Sequence, residues 1–317
     1  MTTITRSDLT AIDMFCGGGG SSTGLVKAGF TVLVATNHWP RAIETHSANH
    51  PDTEHLCADI QAIDLRRLPR ARVLWASPIC TELSPGGGRS KKHPHRDRIE
   101  RDGHVAQAGF ERTRVTFWEV VRAAEIFRYD AIMLENVVEA AEWELFWIWL
   151  SAMITLGYNV QFVSVSAAHL WDPANPPAPQ WRDRLYMVFT RIGIPLPDLE
   201  PRPLAWCAGC GHDVEALQWW KPKSLLRHRG HRIGKYGPQY HYVCPVAEHG
   251  AVEPYTAPAA AAIDWTDLGT RIGDRARDLS AATLRRIGVG VQTIGNPALV
   301  AASGHTYDAA SGAPNRY

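Results

Sequence analysis

Short runs of consecutive apolar residues alternate with amphipathic stretches through the first two thirds of the chain. Residues 9–15, 31–35, 73–75, 130–134, 158–165 and 180–189 read as strands, several of them apolar enough to be buried on both faces. Between them, the stretch after Gly24 through Phe30 and residues 41–49, 112–127 and 142–156 carry helical patterns. Residues 142–156 are so rich in Trp and Leu that this helix is expected to pack on more than one side. Strands alternating with helices predict an α/β fold around a mostly parallel sheet.

One segment breaks the pattern. Residues 86–109 are poor in apolar residues, and from Arg89 to Arg101 the basic residues Arg89, Lys91, Lys92, Arg96, Arg98 and Arg101 face only Asp97 and Glu100. A loop of that length inside a compact domain is often functional or mobile; its basic character suits phosphate contact, with a solvated, disordered loop as the alternative.

Composition narrows the class without naming a chemistry. With 317 residues, 45% hydrophobic and 21% charged, the chain can bury one large core or two. A net charge of +1 announces no general attraction to polyanions. The N-terminus does not read as a signal peptide, because its first apolar run is broken by Asp13 and a glycine cluster. The apolar run 145–156 contains Ser151 and Thr155 and is too short to span a bilayer. The expectation is a soluble, cytoplasmic protein with no membrane partner. Cys16, Cys57 and Cys80 are scattered, whereas Cys207, Cys210 and Cys244 are grouped, which suggests reduced thiols rather than a disulfide framework.

Candidate chemistry gathers at the ends of the predicted strands. The first runs into Cys16-Gly17-Gly18-Gly19-Gly20 and then a helix, the strand–glycine turn–helix opening of a Rossmann-like unit. At the end of the second, His38 stands where such units commonly place an acidic ribose ligand. Trp39 beside it either stacks on an adenine or fills a core or rim position. Asp59 either accepts from an exocyclic amine or caps the next turn. Cys80 follows the strand 73–75, Glu135 ends the strand 130–134, and alternation places Gln180, Arg182 and Arg184 on one face.

In their order and spacing, Phe15-Cys16-Gly17-Gly18-Gly19, Asn37-His38-Trp39, Asp59-Ile60, Ser77-Pro78-Ile79-Cys80, Glu135-Asn136-Val137 and Gln180-Trp181-Arg182-Asp183-Arg184 resemble the DNA (cytosine carbon-5) methyltransferases of bacteria and phages. The resemblance covers roughly residues 9 to 195. It implies a Rossmann-like S-adenosylmethionine domain with a smaller target-recognition domain, acting on double-stranded DNA. It implies that Asp13, Phe15, Cys16, Gly17, Gly18, Gly19, His38, Trp39, Asp59, Ile60, Ser77 and Pro78 line the cofactor. Cys80 would be the nucleophile, Glu135 would hold the edge of the cytosine ring, and Arg182 and Arg184 would support the base or the active-site loop. The chain departs from the family at Ile79, where a second proline is usual, and at His38, where glutamate is usual. Only Gly295-Asn296 echoes the family's closing motif. Transfer to RNA, transfer of another one-carbon group, and a DNA-binding relative without turnover stand as alternatives.

After Pro203 the composition changes. Cys207-Ala208-Gly209-Cys210 is a C-x-x-C knuckle, and Cys244 and His249 follow five residues apart. Three thiolates and one imidazole make a closed tetrahedral zinc site; His212 or His241 could replace His249 as the fourth ligand. Between the pairs, Lys221, Lys223, Arg227, Arg229, Arg232 and Lys235 interleave with Trp219, Trp220, Tyr236, Tyr240 and Tyr242, a composition that suits a nucleic-acid surface. The expected organisation is a catalytic domain at 1–198, a zinc-stapled recognition module at 199–260 and a C-terminal segment at 261–317, working as a monomer on DNA. Residues 255–262 read as a linker and 278–287 as a helix capped by Ser280.

Overall fold

The computed structural model describes residues 9–79, 116–171, 175–267 and 269–294. Cys80, the basic stretch 86–109 and Gly295-Asn296 lie outside the described residues. The chain divides into two compact units, Met1–Ala261 and Ala262–Tyr317.

The first unit is built on a seven-stranded sheet. In chain order its strands are β1 (Thr10–Met14), β2 (Thr31–Asn37), β3 (Glu54–Cys57), β4 (Val73–Ala76), β5 (Ala131–Asn136), β6 (Tyr158–Ser166) and β7 (Asp183–Arg191). Their spatial order is β3-β2-β1-β4-β5-β7-β6. The first five strands are mutually parallel, while β7 runs antiparallel to both β5 and β6. The order reverses between β1 and β4, the position where open α/β sheets bind ligands. The chain loops there are tied together: Ser77 N–H donates to Met14 O at 3.1 Å and Cys16 N–H to Thr36 O at 3.1 Å.

Alternation along the central strands sorts their side chains onto two faces. Leu74, Ala76, Ile132, Leu134, Leu185, Met187 and Phe189 point into the main core. That core is closed by α3 (Thr116–Phe127) and α4 (Phe146–Thr155), which follow α1 (Gly20–Lys27) and α2 (Pro40–Asn49) in the chain. On α3, Phe117, Val120, Ala124 and Phe127 recur at helical spacing and are all buried. Burying one Phe of this kind contributes about 1.5–3 kcal/mol. The expected Trp/Leu-rich helix starts later than its pattern predicts, because Val138–Glu142 forms a separate turn of 3-10 helix first. Trp149 is completely buried in it and donates its ring N–H to Phe117 O at 2.8 Å, tying α4 to α3.

The opposite face carries a smaller cluster of Ala11, Leu25, Val32 and Val73, flanked by half-buried Trp75 and Met133. Odd-numbered Glu135 on β5 and even-numbered Arg184 and Tyr186 on β7 share this face, and Glu135 sits opposite Tyr186 in the ladder. The last predicted strand begins at Asp183 rather than residue 180, so Gln180, which lies in a bend, and Arg182 precede it and do not share a strand face with Arg184.

The rest of the unit is small strands. β8 (Leu204–Cys207) and β9 (His212–Glu215) form a hairpin; β10 (Leu217–Trp220), β11 (Tyr240–Val243) and β12 (Ala251–Val252) form a three-stranded antiparallel sheet. A short α5 (Pro222–Arg227) lies between β10 and β11. In the second unit, the C-terminal helix α6 spans Ala281–Ile294, longer than its pattern suggests, and Ser280 Oγ accepts from Thr283 N–H at 3.2 Å as the expected cap. No helix among the described residues is long and apolar enough to cross a membrane.

Candidate active site

A cleft of about 630 Å³ opens on the α1 face of the sheet, beside the turn that follows β1. Ligand pockets of small molecules fall in this size range. Its lining brings together Phe15, Cys16 and Gly17 from that turn, Ser77 from the end of β4, Glu135 from the end of β5, and Arg182 and Arg184. Seven residues expected from the sequence therefore meet in one cavity. Trp75, Met133 and Tyr186 are also part of the lining, and sequence reasoning missed them; they stand two residues along the strands from Ser77, Glu135 and Arg184, so alternation alone could have found them.

The turn is shaped for close approach by a ligand. Gly17 has φ +54° and Gly19 +103°, and Phe15 itself adopts φ 64°. A non-glycine residue in the left-handed region is uncommon and concentrates at functional sites. Asp13 is placed differently from its expected role. It is fully buried beneath the turn and does not line the cleft; its Oδ2 accepts from the hydroxyls of Ser21 (2.5 Å) and Ser22 (2.7 Å). Burial raises its carboxyl to about 6. Burial and the Asp13 carboxylate push the Cys16 thiol up to about 12, so Cys16 stays protonated and is no rival nucleophile.

Gly18, Gly19, His38, Trp39, Asp59, Ile60 and Pro78 lie outside the lining of that cleft. His38, Trp39 and Asp59 follow the carboxyl ends of β2 and β3, joined by Ala58 N–H donating to Asn37 O at 3.0 Å. Trp39 is 59% exposed, which removes the core reading and leaves its ring available at the surface. Asp59 Oδ1 accepts from Gln61 N–H at 3.0 Å, so the capping role is realised. Ile60 is buried, and its carbonyl accepts from the Arg122 guanidinium at 2.5 Å.

Glu135 and Arg184 form an ion pair, Oε1 to Nε 2.6 Å, with side chains 23% and 20% exposed. A partly buried guanidinium fixes the orientation of a carboxylate more firmly than a surface pair does. The segment leading to Cys80 is held from both sides: Asn136 Nδ2 donates to Pro78 O at 3.0 Å, and Ile79 N–H donates to Thr116 Oγ1 at 3.1 Å.

The sequence model for the C-5 cytosine-specific DNA methylases matches residues 9–196 of the 317, a span that holds every one of these strand ends. The chain belongs to that family. Among curated relatives, the Type II methyltransferase M.AgeI of Thalassovita gelatinovora is 29% identical over 138 residues, covering 41% of this chain and 28% of the relative. M.HgiGI of Herpetosiphon aurantiacus is 34% identical over 86 residues, 26% of this chain and 68% of the relative. M.SacI of Streptomyces achromogenes is 26% identical over 217 residues, 59% of this chain and 49% of the relative. This chain thus spans only about a quarter of M.AgeI and half of M.SacI. Among solved structures, the DNMT2 of Spodoptera frugiperda is similar at 16% identity and a TM-score of 0.46, over 60% of this chain and 52% of that one.

Beyond the matched region, the chain gathers a second cluster. Cys207, Cys210, Cys244 and His249 place their four potential ligand atoms within 4.8 Å of one another. His249 Nδ1 lies 3.5, 3.1 and 3.7 Å from the sulfurs of Cys207, Cys210 and Cys244, and Cys210 and Cys244 sulfurs are 3.6 Å apart. Of the three histidines the sequence left open, His249 is the one in the cluster; His212 turns its Nδ1 to Asp213 O at 2.7 Å. Gly209 is required here, because a Cβ on it would stand 2.6 Å from the His249 ring.

The basic residues around this cluster depart from the expected open nucleic-acid surface. Arg227 pairs with Glu142 at 2.8 Å, Arg232 with Glu200 at 3.2 Å, and Lys235 with Glu139 at 2.6 Å. Tyr240 and Tyr242 are fully buried, and Trp220 nearly so. Arg227 and Lys235 thus tie this segment to the residues after β5, and Arg232 ties it to Glu200, after β7. Trp181 remains outward, 59% exposed, with its ring parallel to Tyr236 at a centroid distance of 5.6 Å.

Proposed function

We propose that this chain transfers the methyl group of S-adenosylmethionine to carbon-5 of a cytosine in duplex DNA, as the modifying member of a type II restriction-modification pair. The observation that carries this reading is the cleft in which the glycine turn, Ser77 and the Glu135–Arg184 pair converge at the ends of β1, β4, β5 and β7. Membership of the C-5 cytosine-specific family and the Type II names of its relatives supply the reaction and the setting.

S-adenosylmethionine supplies an electrophilic methyl group when bound. The open backbone of the Phe15–Gly20 turn lets it approach, and His38, Trp39 and Asp59 are the residues that would hold its ribose and adenine. Carbon-5 of cytosine is a weak nucleophile. Addition of the Cys80 thiolate to carbon-6 would make the ring enamine-like, so that carbon-5 could take the methyl as its bond to the donor sulfur breaks and S-adenosylhomocysteine leaves; loss of the carbon-5 proton to solvent would then restore the ring double bond and expel the thiolate. Glu135, held by Arg184, binds the ring edge and offsets the charge that develops there. The target base must leave the stack to be reached, which costs a few kcal/mol. Residues 199–260 serve as the target-recognition module. The Cys207, Cys210, Cys244 and His249 donors suit a structural Zn²⁺, because bonds of about 2.3 Å to sulfur and 2.0–2.1 Å to nitrogen imply ligand separations of about 3.5–3.8 Å.

Incubation with labelled S-adenosylmethionine and duplex DNA, followed by nucleoside mass spectrometry, tests the reaction. The expected product is 5-methyldeoxycytidine, lost in Cys80→Ala. Label in RNA alone, or full turnover by Cys80→Ala, overturns the reading. Metal analysis of freshly purified protein tests the second cluster, with about one zinc per chain expected.

A further inference from the structure

The glycine turn is not self-supporting. Three side chains from the last turn and the C-terminal end of α2 reach it. Asn49 Nδ2 donates to Gly18 O at 2.9 Å, His50 Nε2 lies 3.0 Å from Gly19 O and 3.1 Å from Thr23 Oγ1, and His46 Nε2 lies 3.0 Å from Ser22 Oγ. The packing is close: a Cβ on Gly19 would stand 2.7 Å from the His50 ring.

The hydrogen bonds have one direction. Ser22 has a single hydroxyl proton, and it goes to Asp13 Oδ2 at 2.7 Å. Its oxygen must therefore accept from His46 Nε2–H. His46 is fully buried, and burial together with His55 and His50 lowers it to about 4, so its ring is neutral. With the proton on Nε2, its Nδ1 accepts from His55 Nε2–H at 2.8 Å. The result is a relay from half-exposed His55 on β3, through His46 and Ser22, to the buried Asp13 carboxylate under the turn. The groups facing His46 are Ser22, His50 and His55, with Asp13 one bond further on.

We propose that His46, aided by His50, is a positioning residue for the methyl donor: the His55–His46–Ser22–Asp13 relay holds the Phe15–Gly20 turn in the shape that the cofactor meets. The inference rests on the reading of that turn as the S-adenosylmethionine site. Neither histidine touches the cleft; both act through the turn. Loss of the relay leaves Ser22 and a buried carboxylate without their support, and the turn relaxes.

The test uses the full chain and S-adenosylmethionine itself, with calorimetric Kd, steady-state kinetics on duplex DNA, and hydrogen exchange of the turn. His46→Leu removes the relay; His46→Gln keeps an amide donor near Nε2. The expected result is a rise of about tenfold in Kd and KM for S-adenosylmethionine in His46→Leu, equivalent to the loss of one hydrogen bond to a charged network. The kcat at saturating cofactor and the KM for DNA stay within twofold, and His46→Gln recovers most of the loss. Exchange over Gly17–Ser22 rises in His46→Leu. His55→Ala, at the accessible end of the relay, gives a smaller shift in the same direction and serves if His46→Leu fails to fold. Unchanged cofactor binding and unchanged exchange in these variants overturn the inference. Wild-type protein that binds no S-adenosylmethionine overturns the site reading instead, while the exchange measurement still decides whether the relay shapes the turn.

Discussion

Asn136 donates its side-chain N–H to the carbonyl of Pro78 at 3.0 Å, joining the residue after Glu135 to the segment that leads into Cys80. Asn136 is buried, and its Oδ1 also accepts from Val137 N–H at 2.9 Å. One side chain thus fixes the relative position of two strand ends that carry the proposed chemistry. Replacing it by Asp removes the donor and leaves a buried carbonyl unpaired, which costs about 1–3 kcal/mol. Asn136→Asp is expected to lower the unfolding free energy by that amount, seen as a lower urea midpoint, and to impair kcat more than S-adenosylmethionine binding. Equilibrium unfolding and single-turnover kinetics check both effects.

Arg184 holds Glu135 at 2.6 Å in the cleft. Arg184→Lys keeps the charge but loses the planar fork. The expected outcome is a fall of about 10–100-fold in kcat with cofactor binding retained, since removing an oriented electrostatic contact costs rate of this order. Glu135→Gln, which keeps the shape and loses the carboxylate, is expected to lose more. Methyl transfer at saturating S-adenosylmethionine measures the series.

Gly209→Ala places a methyl group 2.6 Å from the His249 ring, which must then leave its three sulfur neighbours. Metal retention against a chelator is expected to drop, with release at a concentration at least tenfold lower than for wild type. Gly211→Ala strains a residue at φ +70° but meets no neighbouring atom, so it is expected to destabilise the knuckle by about 1 kcal/mol without releasing metal.

Acid stability follows from three buried groups. Burial lowers His46 and His169 from 6.5 to about 4, so below 6.5 the unfolded chain takes up protons that the native chain refuses, and stability falls with pH. Asp13, raised from 3.8 to about 6 by burial, acts oppositely: the native chain keeps a proton that the unfolded chain releases, and stability falls as pH rises through that window. For these three groups together, two histidines against one carboxylate leave a net uptake of about one proton on unfolding between pH 4 and 6; His55, His228 and His231, lowered by burial, add to it, and Glu119 and Asp183, raised by burial, oppose it. The expected stability therefore declines from pH 6.5 towards 4, and His169→Phe flattens the slope. Urea midpoints across this pH range check it.

The sequence by itself determined six of the seven strands of the sheet and the residues at their ends; the short edge strand β3 went unread. Periods of two and 3.6 are local properties, and the order of Gly17, Cys80, Glu135 and Arg184 along the chain fixes which strand end delivers each. What joins distant segments was decided by the tertiary structure. The sequence named His249 as the fourth ligand but left His212 or His241 as replacements, and the fold of the knuckle against Cys244 places His249 in the cluster. The basic, aromatic segment read as a DNA surface, yet Glu139, Glu142 and Glu200 arrive from elsewhere in the chain and neutralise half of its cations. The histidines at 46, 50 and 55 carried no signal, because nothing local reveals that α2 ends against the glycine turn. Their meaning depends on burial: desolvation makes His46 neutral, and a neutral ring with one proton can pass a hydrogen bond in one direction only.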